Sequence, residues 1–219
     1  MLLLQFSTSH YCRKARLALG FKQIDYRVEN LTPGKHIFQL KPLTGLTTVP
    51  VLLPEKPGEP AAIADSTRIF AYLEQYAPQP SFYPEKPTQA RLLEDWLDES
   101  IGTATRFVYY DFRAGAGKSI DPSLASKLLI NLVSFSYGIT PATVQLAKAR
   151  LKMAMEVLSV WENQPYLIGD GLSVADLTAA ALLSPLALIP EYYQTYPWLF
   201  TRIREIHLLC GETLPPGLQ

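Results

Sequence analysis

Hydrophobic and polar positions change their rhythm near residue 78. Before it, short apolar runs alternate with segments of helical period. Residues 2–6 form an apolar run with β character, and residues 11–19, rich in Ala, Leu, Arg and Lys, predict a helix stopped by Gly20. Residues 25–29 alternate polar and apolar, the pattern of a half-buried strand. A Thr32-Pro33-Gly34 turn leads into a short helical segment over residues 35–40. Residues 49–53 and 61–64 are apolar runs joined by a Pro/Gly-rich turn, the signature of an antiparallel hairpin. Beyond Asp65, Ile69, Tyr72, Leu73 and Tyr76 follow the i, i+3, i+4, i+7 spacing of an amphipathic helix. The predicted order is βαβαββα.

Residues 78–87 carry Pro78, Pro80, Pro84 and Pro87 and read as a linker, because four of the ten lack a backbone N–H. Every later periodic segment is helical. Leu92, Leu93, Trp96 and Leu97 open a long amphipathic helix expected to reach about Arg113, and residues 123–135 predict a second. Val144, Ala147, Leu151, Met155 and Leu158 mark a third. Residues 173–188, apolar nearly all round, predict a buried fourth, and residues 198–209 a fifth. A small α/β unit followed by an all-α unit implies two domains, with a ligand cleft expected at their junction.

Composition narrows the function classes. The 219 residues carry 20 Lys+Arg against 20 Asp+Glu, so no basic excess marks a polynucleotide partner. Hydrophobic content of 48% excludes a disordered chain. Two cysteines, Cys12 and Cys210, are too few for a disulfide framework and suit a reducing, cytoplasmic compartment. His10, His36 and His207 lack ligand spacing, so no metal site is expected. Residues 1–6 are too short for a signal peptide. The apolar stretch 177–190 contains Ser184, Pro185 and Pro190 and falls short of the ~20 residues needed to cross a bilayer, so no membrane partner is expected.

Three constellations carry candidate chemistry. Ser7 to Arg16 joins the first strand to the first helix; a hydroxyl there is an ordinary N-cap, but the helix N-terminus also stabilises a thiolate, either a ligand's or that of Cys12. With no cysteine at position 9, a dithiol centre is not expected. Thr47-Thr48-Val49-Pro50-Val51 opens a strand, and nothing in it singles out a cis bond. Asp65-Ser66 caps the third helix and suits an anion. Ser173 and Asp176 are spaced as a capping box, with Leu172 and Leu177 as a hydrophobic staple, a structural device for entering a buried helix.

Taken together, Ser9, Val49-Pro50 and Asp65-Ser66 resemble the glutathione S-transferase family in order and spacing, and residues 167–177 resemble its capping-box signature. Residues 196–206 resemble its final helix region, residues 114–140 resemble it least, and His10 stands where many relatives have Pro. Residues 41–50 form a longer approach to Val49-Pro50 than the family's usual one.

The resemblance implies a fold of α/β plus all-α class. A thioredoxin-like βαβαββα domain over residues 1–77 and a linker over 78–87 would precede a helical bundle domain over 88–219. It implies a glutathione transferase joining the glutathione thiolate to a small hydrophobic electrophile or a peroxide, working as a homodimer. Relatives with a catalytic Ser or Cys place an Arg seven residues later, so Arg16 selects Ser9 as activator, with Cys12 as runner-up. Val49, Pro50, Asp65 and Ser66 would bind glutathione, with Lys35 or His36 at its glycyl carboxylate. Tyr11, Arg106, Phe107, Tyr109, Tyr110 and Arg113 would line the second-substrate pocket, although a core role also explains Tyr11, Phe107 and Tyr110. Two alternatives stand beside this reading: a non-catalytic glutathione-binding interaction module, and a Cys12-dependent thiol-disulfide reductase.

Overall fold

A computed structural model describes residues 1–219. Its four short strands make one mixed sheet in the order β2-β1-β3-β4, from β1 (Leu2–Gln5), β2 (Arg27–Asn30), β3 (Val51–Leu53) and β4 (Ile63–Ala64). β1 pairs in parallel with β2 and antiparallel with β3, and β3 pairs antiparallel with β4. The two-residue side-chain period divides the sheet's apolar groups between its faces. Leu3, Leu52 and Ile63 enter the main core, whereas Leu4, Val51 and Ala64 join a smaller cluster with Leu31 and Leu40. Between the strands run α1 (His10–Phe21) and α2 (His36–Thr44), and α3 (Ser66–Tyr76) follows β4.

The rest is helical: α4 (Pro87–Trp96), α5 (Gly102–Ala114), α6 (Leu124–Ser136), α7 (Pro141–Leu158), α8 (Val174–Leu183), α9 (Pro190–Thr195) and α10 (Pro197–Leu209). The thioredoxin-like sheet and the helical remainder together give the expected α/β plus all-α class. The main core is continuous across the chain, reaching from Leu3 through α1, α3, α8 and α10 to Leu218. α1 packs against both α3 and α8, so the helical part covers the face of α1 that the sheet does not.

Several elements depart from the sequence pattern for physical reasons. β2 is exposed at all four positions, not half-buried, because it forms the sheet's edge. α2 runs on past Leu40 through Pro42 to Thr44 and ends at Gly45 in the left-handed region (φ 75°), where glycine carries no Cβ penalty. Pro87 belongs to α4 rather than to the preceding segment, since a first-turn proline gives up an N–H that has no helical partner anyway. The long helix predicted from about Leu92 begins at Pro87 and is interrupted by a π-helical turn, Leu97–Ile101. The buried helix from Ser173 ends at Leu183 and tightens into a 3₁₀ turn, Ser184–Leu188, where Pro185 supplies no N–H. α9 has no counterpart in the sequence reading.

The capping box forms as expected. Asp176 is buried and its carboxylate accepts from the Ser173 N–H (2.9 Å), the Ser173 hydroxyl (2.7 Å), the Leu167 N–H (2.7 Å) and the Trp161 Nε1–H (3.1 Å). Burial raises its pKa and these donors oppose the rise. One carboxylate thus ties the start of α8 to the loop before it and to the most voluminous fully buried side chain, Trp161.

Candidate functional site

Strand register brings the three sequence constellations to one end of the sheet. Leu4 of β1 pairs with Val51 of β3, and Val51 pairs with Ala64 of β4. The chain leaving β1 toward Ser9, the chain entering β3 through Val49 and Pro50, and the chain leaving β4 through Asp65 and Ser66 therefore meet there. The Val49–Pro50 bond is cis. His36, at the start of α2, reaches the same end: its ring lies edge-on to Phe6, with centroids 4.9 Å apart, and its Nδ1 accepts from the Gly34 N–H at 3.0 Å. Lys35 beside it is exposed and makes no capping hydrogen bond.

Ser9 is the N-cap of α1, in extended conformation, and its Oγ accepts from the Cys12 N–H at 3.3 Å. That bond uses a lone pair, which leaves the hydroxyl proton to donate elsewhere. Capping and activation are thus compatible in one side chain. Cys12 has no exposed surface, and burial raises its thiol pKa. The lowered pKa that a thiolate at this helix start would need is therefore absent, and Cys12 packs as a small hydrophobe.

At the same end of the sheet, Asp65 caps α3 through Oδ1, which accepts from the Arg68 N–H at 3.1 Å. Its backbone (φ 80°, ψ 134°) lies where non-glycine residues rarely go, a cost of about 1–3 kcal/mol that the surrounding structure must hold in place. Ser66 is buried and donates to Asp98 Oδ1 at 3.4 Å.

The helical part closes the cleft from α5. The Tyr11 hydroxyl donates to the Asp98 carbonyl at 2.7 Å, and His10 Nε2 lies 3.2 Å from the Gly102 carbonyl, so both contacts fall on the π-helical turn and its exit. A π turn re-aims backbone groups that a plain α-helix would keep within its own ladder. Burial is the largest cause lowering the His10 pKa to about 3, with Arg106 contributing, and burial raises that of Tyr11 to about 12. His10 is thus neutral, and the Tyr11 hydroxyl keeps its proton. The Arg106 guanidinium stands over the Tyr11 ring at 5.1 Å and the Tyr137 ring at 4.2 Å. Arg113 donates to Tyr109 Oη (3.0 Å) and Ser126 Oγ (3.1 Å). Tyr110 and Phe107 are both half-buried, and Phe107 packs onto the main core.

Sequence reasoning missed Lys14. It is fully buried, ion-paired with both Glu94 and Asp98, and bonded to Thr67 Oγ1 at 3.2 Å. Thr67 also donates to Glu94 at 2.6 Å, and the Lys14 ammonium sits 5.5 Å from the centre of the Phe70 ring. The signal was available: Lys14 shares the apolar helix face of Leu17 and Ala18, and a lysine there needs a buried acid. Phe70 is fully buried against Phe82, with centroids 4.5 Å apart. A shallow apolar groove of about 400 Å³ lies over Leu92, Leu93, Trp96, Val157 and Ile168 and includes none of the proposed site residues.

The fold and this cleft define a thioredoxin-like domain joined to a helical partner, with a capped Ser at the first strand–helix junction. Residues 3–81 match the family described as glutathione S-transferase, N-terminal domain. The match covers 79 of the 219 residues, and the whole chain shares the two-part fold of solved glutathione S-transferases. A glutathione S-transferase from Rhodospirillum rubrum superposes with a TM-score of 0.71 at 22% identity, covering 98% of this chain and 94% of that one. One from Methylobacterium radiotolerans, in complex with glutathione sulfonate, gives 0.72 at 18% identity over 98% and 94%. The beta-etherase LigF from Sphingobium gives 0.72 at 19% identity over 99% and 96%. No curated protein matches the sequence. No helix is long and apolar enough to cross a membrane.

Proposed function

We propose that the protein is a glutathione transferase in which Ser9 activates the thiol. The observation that supports this reading is the register Leu4–Val51–Ala64, which brings the segments carrying Ser9, Val49-Pro50 and Asp65-Ser66 to one end of the sheet. The glutathione complex of the Methylobacterium protein supports the ligand class. Val49, beside the cis Pro50, would pair with the cysteinyl backbone of glutathione. Asp65 and Ser66 would hold its γ-glutamyl end, and Lys35 or His36 its glycyl carboxylate. Residues 1–77 would form the glutathione domain and residues 88–219 the helical one, in a cytoplasmic homodimer.

A free thiol titrates near ~8.5, so little thiolate exists at neutral pH. The Ser9 hydroxyl, donating to the glutathione sulfur at the N-terminus of α1, favours the anion over the thiol. The thiolate then attacks an electrophilic carbon: a sulfur–carbon bond forms, and the bond from that carbon to its leaving group breaks with the electron pair departing on the leaving group. Half-buried Tyr11, Arg106 and Tyr110 supply the neighbouring wall for that substrate.

Retention on immobilised glutathione, with turnover of a panel of aryl halides, isothiocyanates and hydroperoxides, tests the reading. Ser9→Ala should slow turnover about tenfold to a hundredfold near neutral pH, the effect of losing one hydrogen bond worth roughly 1.5–3 kcal/mol to an anion. Cys12→Ala should stay within a few-fold. Retention without turnover supports the binding-module alternative; loss of both overturns the transferase reading.

A further inference from the structure

α5 carries two arginines, Arg106 and Arg113, that form no ion pair, although the Asp121 carboxylate acts on Arg113. None of the chain's ion pairs involves Arg106 or Arg113. Of the two acids that act on Tyr11 together with Arg106, Asp98 is engaged by Lys14 and Glu99 is exposed to solvent. Arg106 makes no hydrogen bond within the protein and is held by aromatic faces on both sides, Tyr11 from α1 and Tyr137 from the end of α6. A guanidinium stacked on rings is fixed in place while its in-plane N–H groups remain free to meet an anion two at a time. Arg113 lies seven residues further along the same helix face, about 10 Å away, and its buried Nε–H has no acceptor. In a chain of zero net charge, Arg106 is thus left beside Tyr11 with neither an ion-pair nor a hydrogen-bond partner.

We propose that the second substrate is an anionic aromatic electrophile, with a carboxylate bound by Arg106 and its ring lying among Tyr11, Tyr110 and Tyr137. The inference rests on the glutathione-transferase reading and deepens it. It also gives a role to Tyr137, which lies in the segment least like the family. Arg106 is here a specificity residue: its contact is with the part of the substrate remote from the reacting carbon, so it acts on affinity and leaves the thiol chemistry to Ser9. The field at Arg106 already acts on a neighbour, since it helps to keep His10 uncharged.

The test is equilibrium binding of S-(4-carboxybenzyl)glutathione and S-benzylglutathione, which differ only in the carboxylate, to wild type, Arg106→Gln and Arg106→Lys. The carboxylate conjugate should bind wild type at least about tenfold more tightly, the value of a charge-assisted contact at a half-exposed site. That preference should vanish in Arg106→Gln and be only partly kept in Arg106→Lys, which retains the charge without the planar fork. Free glutathione should bind all three within about threefold, which also reports that the variants are folded. Equal affinity of wild type for the two conjugates overturns the anionic-substrate inference while leaving the transferase reading intact. Failure of glutathione and both conjugates to bind wild type overturns the transferase reading and this inference with it.

Discussion

Replacing Lys14 with Met removes the cation from a buried cluster that holds two carboxylates. Lys14 is wholly enclosed, and the side chains of Glu94 and Asp98 are only 5% and 8% exposed, so solvent screens little of the interaction. Met matches the aliphatic stem, and packing against Phe70 is largely kept; what is lost is the charge. Breaking a buried pair from one side costs about 3–5 kcal/mol, because the acids left behind have neither water nor partner. With a urea m-value of about 2–3 kcal/mol/M, the unfolding midpoint should fall by about 1–2 M. Burial already raises the Asp98 pKa, and without the ammonium it rises further. The folded variant then binds more protons than its unfolded chain, so its stability increases as pH falls. The gap between wild type and variant should therefore narrow from pH 8 to pH 5, and Asp98→Asn in the Lys14→Met background should recover part of the loss. A loss below about 1 kcal/mol at pH 8, or a gap that widens on acidification, would refute the reasoning.

Gly20→Ala should destabilise by about 3 kcal/mol or more in urea unfolding, because its Cβ would lie 2.0 Å from the Cys210 carbonyl oxygen and backbone yields least. Asp176→Ala should cost about 3–5 kcal/mol by orphaning the donors that converge on it, with a lower thermal midpoint as the readout. His10 and His207 have pKa values lowered by burial to about 3 and about 4, so the unfolded chain takes up their protons first as pH falls below about 6.5. Each should cost about 2 kcal/mol of stability between pH 7 and pH 5, and His10→Gln should remove its share in paired urea titrations at the two pH values.

What the sequence revealed was local chemistry. The hairpin, the Ser173–Asp176 box and the caps at Ser9 and Asp65 each depend on a few adjacent residues, and each appears in the structure. Features that depend on partners far along the chain were not legible. The alternation in residues 25–29 looks half-buried, but whether a strand is an edge is decided by the order of the sheet. The π turn inserts one residue into an otherwise regular amphipathic pattern, and no residue type marks it. Within the cleft, the three constellations could be named from sequence, but the commitment of the Tyr11 hydroxyl to Asp98 required knowing what faces α1. The role of Lys14 was hidden by composition: one lysine among the Arg and Lys of a helix looks solvated until its neighbours on the same face are counted.

The enclosure of α1 also fixes when this protein can finish folding during synthesis. Gly20 meets Cys210, Arg16 is ion-paired with Glu212, and Arg13 donates to the Thr213 carbonyl at 2.9 Å. About 190 residues separate the end of α1 from those partners, so at ~5–20 residues per second roughly 10–40 seconds pass before the ribosome delivers them. During that interval Leu17, Ala18 and Leu19 have part of their native cover missing, and a nascent chain stalled before residue 210 would present them to chaperones or to neighbouring chains.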